Sequence, residues 1–226
     1  MFCDQVWTRA AKLLDAIRNH PFNAALGNGS LDRNRFAFYL VQDGRYLVAY
    51  ANTLATASVR AQDMADAAFF AQAAHTALTV ERALHSRYLE EFGLQIEEMA
   101  NITTSPTCLA YASFLQATAL TAPLPVIAAA ALPCFWVYQD VGTVLLERTA
   151  GRREHPYQAW IATYSDPAFA ASVDQAKAIV DRLAALADAA TYGCMVEAFL
   201  RATEYEWMFW DSAWRLETWP TRQWVA

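Results

Sequence analysis

The stretch from Met99 to Gln139 contains no Asp, Glu, Lys or Arg. So long a run without charge must leave water, into either a protein core or a lipid bilayer. Within it, residues 119–138 have the length of a membrane span of ~20 residues. Pro123, Pro125 and Pro133 interrupt that segment, Thr118 and Thr121 stand at its start, and no basic flank follows it. The pattern predicts a helix that is apolar on all sides and buried inside a large bundle, with no membrane partner. A chain of 226 residues is large enough to build that bundle. Unfolded it exposes roughly 36,500 Å² and folded roughly 10,300 Å², so about 72% of its surface is buried without a disulfide or metal staple.

Composition narrows the class. Apolar residues make up 56% and charged residues 18%, which excludes a disordered chain. The seven glycines are about half the usual ~7% frequency, and alanine is abundant, which favours helices over a turn-rich β architecture. With 17 basic against 23 acidic residues, and no basic run longer than Arg152-Arg153, nucleic acid is not an expected partner. Cys3, Cys108, Cys134 and Cys194 are scattered with no C-x-x-C pair, as free thiols of a reducing compartment are. The segment from Met1 to Ala11 shows no apolar signal region, so a cytoplasmic location is expected.

Apolar spacing predicts an all-α chain of eight or so helices in one domain spanning 1–226. Val6, Ala10, Leu13, Leu14 and Ile17 form one stripe over residues 4–19, ended by His20-Pro21-Phe22. After the turn Gly27-Asn28-Gly29-Ser30, Asp32 caps a long helix over 34–61. Gln62-Asp63 interrupts, and a further helix runs to Phe92 and stops at Gly93. Ser105 and Pro106 open a helix that reaches Thr121. Helices over 126–147, 168–187 and 192–217 follow, with a charged loop over 151–156.

Three features carry candidate chemistry. Glu81 and His85, four apart with His75 upstream, would share a helix face, but no later carboxylate-x-x-His pair completes a metal centre. His20, beside Pro21 in a helix-ending segment, is a poor haem ligand; no metal or cofactor is expected. Cys134 sits in the most apolar helix directly after Pro133, which cannot donate to the Ala129 carbonyl and opens a concave, polar-edged spot. Tyr138, four residues on, shares its face. Asp43 and Glu206 are carboxylates among aromatic and aliphatic neighbours, costly there unless paired or bound to a ligand. A solvated helix face is the alternative for each carboxylate, and a structural core thiol is the alternative for Cys134.

Several segments, in order and with matching separations, resemble the TenA/thiaminase II family of thiamin-salvage enzymes. They are His20-Pro21-Phe22, Gly29-Ser30-Leu31, Phe36-x-x-Tyr39-Leu40-x-Gln42-Asp43-x-x-Tyr46-Leu47, and Ser105-Pro106-Thr107 with Tyr111. Leu132-Pro133-Cys134-Phe135-Trp136-x-Tyr138 with Gly142, Tyr157-x-x-Trp160-Ile161-x-Thr163-Tyr164, and Glu206 with Phe209-Trp210 complete the set; Gly44-Arg45 departs from the pattern. The resemblance implies a heme-oxygenase-like all-α fold without haem, assembled as a homotetramer. It makes Cys134 the nucleophile and Glu206 the acid–base carboxylate. Asp43 would hold the amino-amidine edge of a pyrimidine, Tyr46 and Tyr138 would wall its ring, and Tyr111 and Tyr164 would supply pocket hydroxyls. The expected activity is hydrolysis of 4-amino-5-aminomethyl-2-methylpyrimidine, and of thiamin as a further substrate. A pyrimidine-binding regulatory protein and a di-metal oxidase on the same fold are the alternatives, disfavoured by the retained Cys134 and by the incomplete ligand set.

Overall fold

The computed structural model describes residues 1–92, 102–149 and 154–224, without the side chains of 80–87 and 89–91. All regular structure among the described residues is helical. In chain order the helices are α1 (Phe2–Arg9), α2 (Ala11–Arg18), α3 (Pro21–Asn28), α4 (Arg33–Arg60) and α5 (Met64–Phe92). They continue with α6 (Pro106–Thr121), α7 (Leu124–Thr149), α8 (Gln158–Tyr164), α9 (Pro167–Leu186) and α10 (Ala189–Arg215), before a short 3₁₀ turn at Arg222–Trp224.

Helix α7, free of charge as far as Gln139, is the central rod. It packs on α2, α3, α4, α6, α8, α9 and α10, which is why so apolar a segment stays out of water. It is the one described helix long and apolar enough to cross a membrane, and its most apolar stretch is largely buried in the bundle. Arg18 pins α2 to it through a two-pronged contact with Asp140, at 2.7 and 2.8 Å.

Local chemistry sets the helix starts. Asp32 accepts from the backbone amides of Asn34 and Arg35, Ser105 from Cys108, Asp166 from Ala168 and Asp188 from Thr191. Pro106 and Pro167 occupy first-turn positions, where their missing N–H costs nothing. Gly29 closes α3 at φ +79°, a left-handed conformation that suits glycine.

Three departures from the sequence reading have local causes. The stripe over 4–19 is divided into α1 and α2 at Ala10, although the Ala10 amide still bonds Val6 and its carbonyl accepts from Leu14. The segment 21–28, read as a helix end and turn, is itself the helix α3. Its start is hidden because the cap is a histidine: His20 Nδ1 accepts from the Phe22 amide at 3.2 Å, with Pro21 in the first turn. Tyr157 to Tyr164, read only as a motif, contains the short helix α8. The expected stop at Gly93 and the basic part of the loop over 151–153 lie outside the described residues.

Candidate functional site

Helix periodicity gathers the site on a few faces. On α4, Asp43, Tyr46, Leu47 and Tyr50 fall three and four apart, so they share a stripe facing α7 and α10. From α7, Cys134 and Tyr138 stand one turn apart just after Pro133. Tyr164 ends α8, held against α7 by close backbone approach. A Cβ added at Gly142 would lie 2.7 Å from the Tyr164 carbonyl carbon and 2.8 Å from its Cβ, so only glycine admits this contact. Tyr111 comes from α6 and Glu206 from α10.

Asp43, Cys134, Tyr138 and Tyr164 line one cavity of about 240 Å³, floored by Tyr50, Phe69 and Phe135. It is smaller than the ~300–1,000 Å³ of sites for drug-sized ligands, a size for one small ring. Cys134 is half-buried on its wall, in contact with the cavity, whereas Cys3 and Cys108 are buried elsewhere. The Tyr138 hydroxyl stands 3.4 Å from that of Tyr39, which also accepts from Trp160 Nε1 at 3.3 Å. Tyr164 and Trp210 flank Tyr138 at this end, with ring centroids 4.9 and 5.2 Å from it.

Glu206, Tyr111 and Tyr46 are not on the wall of that open cavity; they form a buried layer adjoining it. The Tyr111 hydroxyl donates to Glu206 Oε1 at 2.6 Å. Tyr46 lies against Tyr111, ring centroids 4.7 Å apart, and its buried hydroxyl has no partner of good hydrogen-bond geometry. Tyr50 on the cavity floor stacks on Tyr46, ring centroids 5.7 Å apart, which makes the two layers neighbours. Burial pushes the Glu206 carboxyl up to about 8; the Asp43 charge adds to this and the Tyr111 hydrogen bond opposes it. Burial likewise drives the Tyr46, Tyr111 and Tyr138 phenols upward.

Both carboxylates are thus interior groups, Asp43 being 3% and Glu206 1% exposed, and neither occupies a solvated helix face. Arg45, where the family pattern is broken, turns away from the cavity and donates to the Ile102 carbonyl. The Glu81 and His85 side chains lie outside the described residues, and His75 is exposed on α5. Among the described residues, no three His, Cys, Asp or Glu side chains cluster as metal ligands do. Tyr50 was not singled out in the sequence, and Gln42 stood in the resembling motif without an assigned role. Tyr50 is one turn beyond Tyr46 on the same stripe, a spacing that could have marked it. Gln42 fastens the loop before α6, accepting from the Ser105 amide and donating to the Thr103 carbonyl, both at 2.9 Å.

Comparison with known proteins gives the lineage. The chain is 32% identical to the aminopyrimidine aminohydrolase of Halalkalibacterium halodurans over 219 residues, covering 96% of this chain and 97% of that protein. The TenA homologue protein from P. horikoshii OT3 superposes with a TM-score of 0.85 at 26% identity, covering 95% and 99% of the two chains. A domain with a heme oxygenase-like fold from Shewanella denitrificans, 13% identical, has a TM-score of 0.73 over 95% of this chain and 92% of its own, a likeness of fold alone. The profile of the TENA/THI-4/PQQC family matches residues 7–216, and with nearly the whole chain aligned to such relatives the protein belongs to that family.

Proposed function

We propose that the protein is an aminopyrimidine aminohydrolase of thiamin salvage. It converts 4-amino-5-aminomethyl-2-methylpyrimidine and water to the 5-hydroxymethyl compound and ammonia, and takes thiamin as a further substrate. The observation that carries this reading is the meeting of a thiol, Cys134, and a buried carboxylate, Asp43, on the wall of one ring-sized cavity. Asp43 accepts from the exocyclic amine of the pyrimidine and fixes the ring's orientation, with Tyr138 and Tyr164 beside the ring on the cavity wall and Tyr46 and Tyr111 behind it in the adjoining buried layer.

The reaction follows from these groups. Ionised Glu206 takes the Cys134 proton, and the thiolate adds to the ring carbon beside the aminomethyl substituent, forming a C–S bond. The electrons pushed into the ring break the exocyclic C–N bond. The amine leaves as ammonia with the proton that Glu206 returns, and a ring-conjugated methylene remains. Water adds to that methylene, giving its proton to Glu206, and the C–S bond breaks as the ring regains aromaticity. The regenerated thiolate recovers a proton from Glu206. A carboxyl held up to about 8 suits this double duty, since both of its forms are populated near neutral pH.

The chain works as one helical domain, in the cytoplasm and as a homotetramer, in the same reading. Exposed Val59, Met64, Leu120 and Leu186, which lie at ends of α4, α5, α6 and α9, support self-association. The test incubates purified protein with the aminomethylpyrimidine and, separately, with thiamin. Stoichiometric ammonia and hydroxymethylpyrimidine from the first substrate support the reading, and no product from either refutes it.

A further inference from the structure

Among the polar groups at the cavity that the hydrolysis leaves unused, the Tyr50 hydroxyl is the one tied to the helix segment that carries Cys134. It donates to the Ala131 carbonyl on α7 at 3.1 Å. Ala131 precedes Cys134 by three residues, so on a helix its carbonyl lies on the flank from which the residue-134 side chain projects. The same hydroxyl is within hydrogen-bonding reach of Cys134. The phenol cannot swing away. It is 3% exposed, stacked on Tyr46 at 5.7 Å and edge-on to Phe135 at 5.8 Å.

We propose that Tyr50, anchored on the Ala131 carbonyl, is a positioning residue for the Cys134 sulfur, holding it in line with the ring carbon it attacks and donating to it once it is ionised. The proposal rests on the reading of Cys134 as nucleophile. A hydroxyl has one proton and two lone pairs. While Cys134 is a thiol, the Tyr50 proton stays on Ala131 and an oxygen lone pair accepts from the S–H. When the thiol ionises, rotation about the C–O bond moves the same proton to the sulfur, and the charge gains a donor without any ring movement. No other bond changes. The remaining titratable groups facing this region are Asp43 and Tyr46 on α4, Tyr111 on α6, Tyr138 on α7, Tyr164 on α8 and Glu206 on α10. From α5 and α9 the cavity receives only uncharged polar groups among the described residues, Gln72, Thr76, Ser172 and Gln175. None of these groups is basic, so Tyr50 supplies stabilisation that no cation among the described residues lining the site provides.

The test is Tyr50→Phe in a Cys194→Ser background, which removes the exposed thiol. Cys3 and Cys108 are buried, with burial pushing their thiols up to about 12, and they lie on peptides distinct from that of Cys134. Alkylation by iodoacetamide, followed by mass spectrometry of the Cys134 peptide, gives the pH midpoint of that thiol. The expected result is a midpoint about one unit higher, a tenfold loss of thiolate at a given pH below it. A matching fall in kcat/KM is expected, with unchanged affinity for hydroxymethylpyrimidine. An unchanged midpoint overturns the proposal. Because the alkylation readout needs no turnover, a wild-type protein inactive on both substrates refutes the functional reading and leaves this measurement intact.

Discussion

Glu206→Gln should make the protein more stable while disabling it. In the folded chain the carboxyl titrates near 8, against an ordinary 4.5 in the unfolded chain, because the side chain is buried and faces the Asp43 charge. Between those values the folded protein holds a proton that the unfolded chain has released. Stability from this group is therefore full below about 4.5, falls as pH rises, and is level again above about 8. At 1.36 kcal/mol per unit, the fall between about pH 5.5 and pH 8 is about 3 kcal/mol after allowing for half-titration at the upper end. Glutamine has no such proton to lose. It keeps an oxygen to accept from the Tyr111 hydroxyl that now bonds Glu206 Oε1 at 2.6 Å. Urea denaturation of both proteins at the two pH values measures the difference, in which every other titrating group cancels. The wild type should lose about 3 kcal/mol more than the variant over that interval. Parallel losses would refute the assignment of a raised carboxyl to this position and, with it, the buried acid–base role.

Three further outcomes are expected. Asp43→Asn should raise KM as well as lower kcat, because it weakens ring recognition, whereas Glu206→Gln should lower mainly kcat and flatten one limb of the pH profile; steady-state kinetics across pH separates them. Gly142→Ala places a methyl within 2.8 Å of Tyr164 and should cost about 1–3 kcal/mol in denaturation midpoint analysis, with a raised KM as Tyr164 moves off the cavity. Exhaustive chelation should leave hydrolysis unchanged, and loss restored by iron or manganese would favour a di-metal oxidase instead.

What could be read in the sequence was what a single residue type announces. Asp32 and Ser105-Pro106 mark helix starts, and the structure places caps there because an oxygen must meet the free amides. Asp43 and Glu206 stood out as carboxylates among aromatics, and both are interior. The helix α3 escaped notice because a histidine makes an unusual cap, and α8 because seven residues give too little periodicity to register. The spacing of Tyr50 puts it on the Tyr46 stripe, but its role was hidden, because the Ala131 carbonyl and Cys134 are brought beside it only by a different helix. The separation of the site into an open cavity and an adjoining buried layer is likewise a product of tertiary packing, which spacing along one chain does not encode.

The measurement that bears most directly on the account is turnover of aminomethylpyrimidine by Cys134→Ser beside binding of hydroxymethylpyrimidine by the same protein. A hydroxyl is a far weaker nucleophile than an activated thiol, so turnover should fall at least ~100-fold while the cavity still binds the pyrimidine. Cys3→Ala, Cys108→Ala and Cys194→Ser should show no comparable loss. Near-normal turnover by Cys134→Ser would contradict the covalent mechanism.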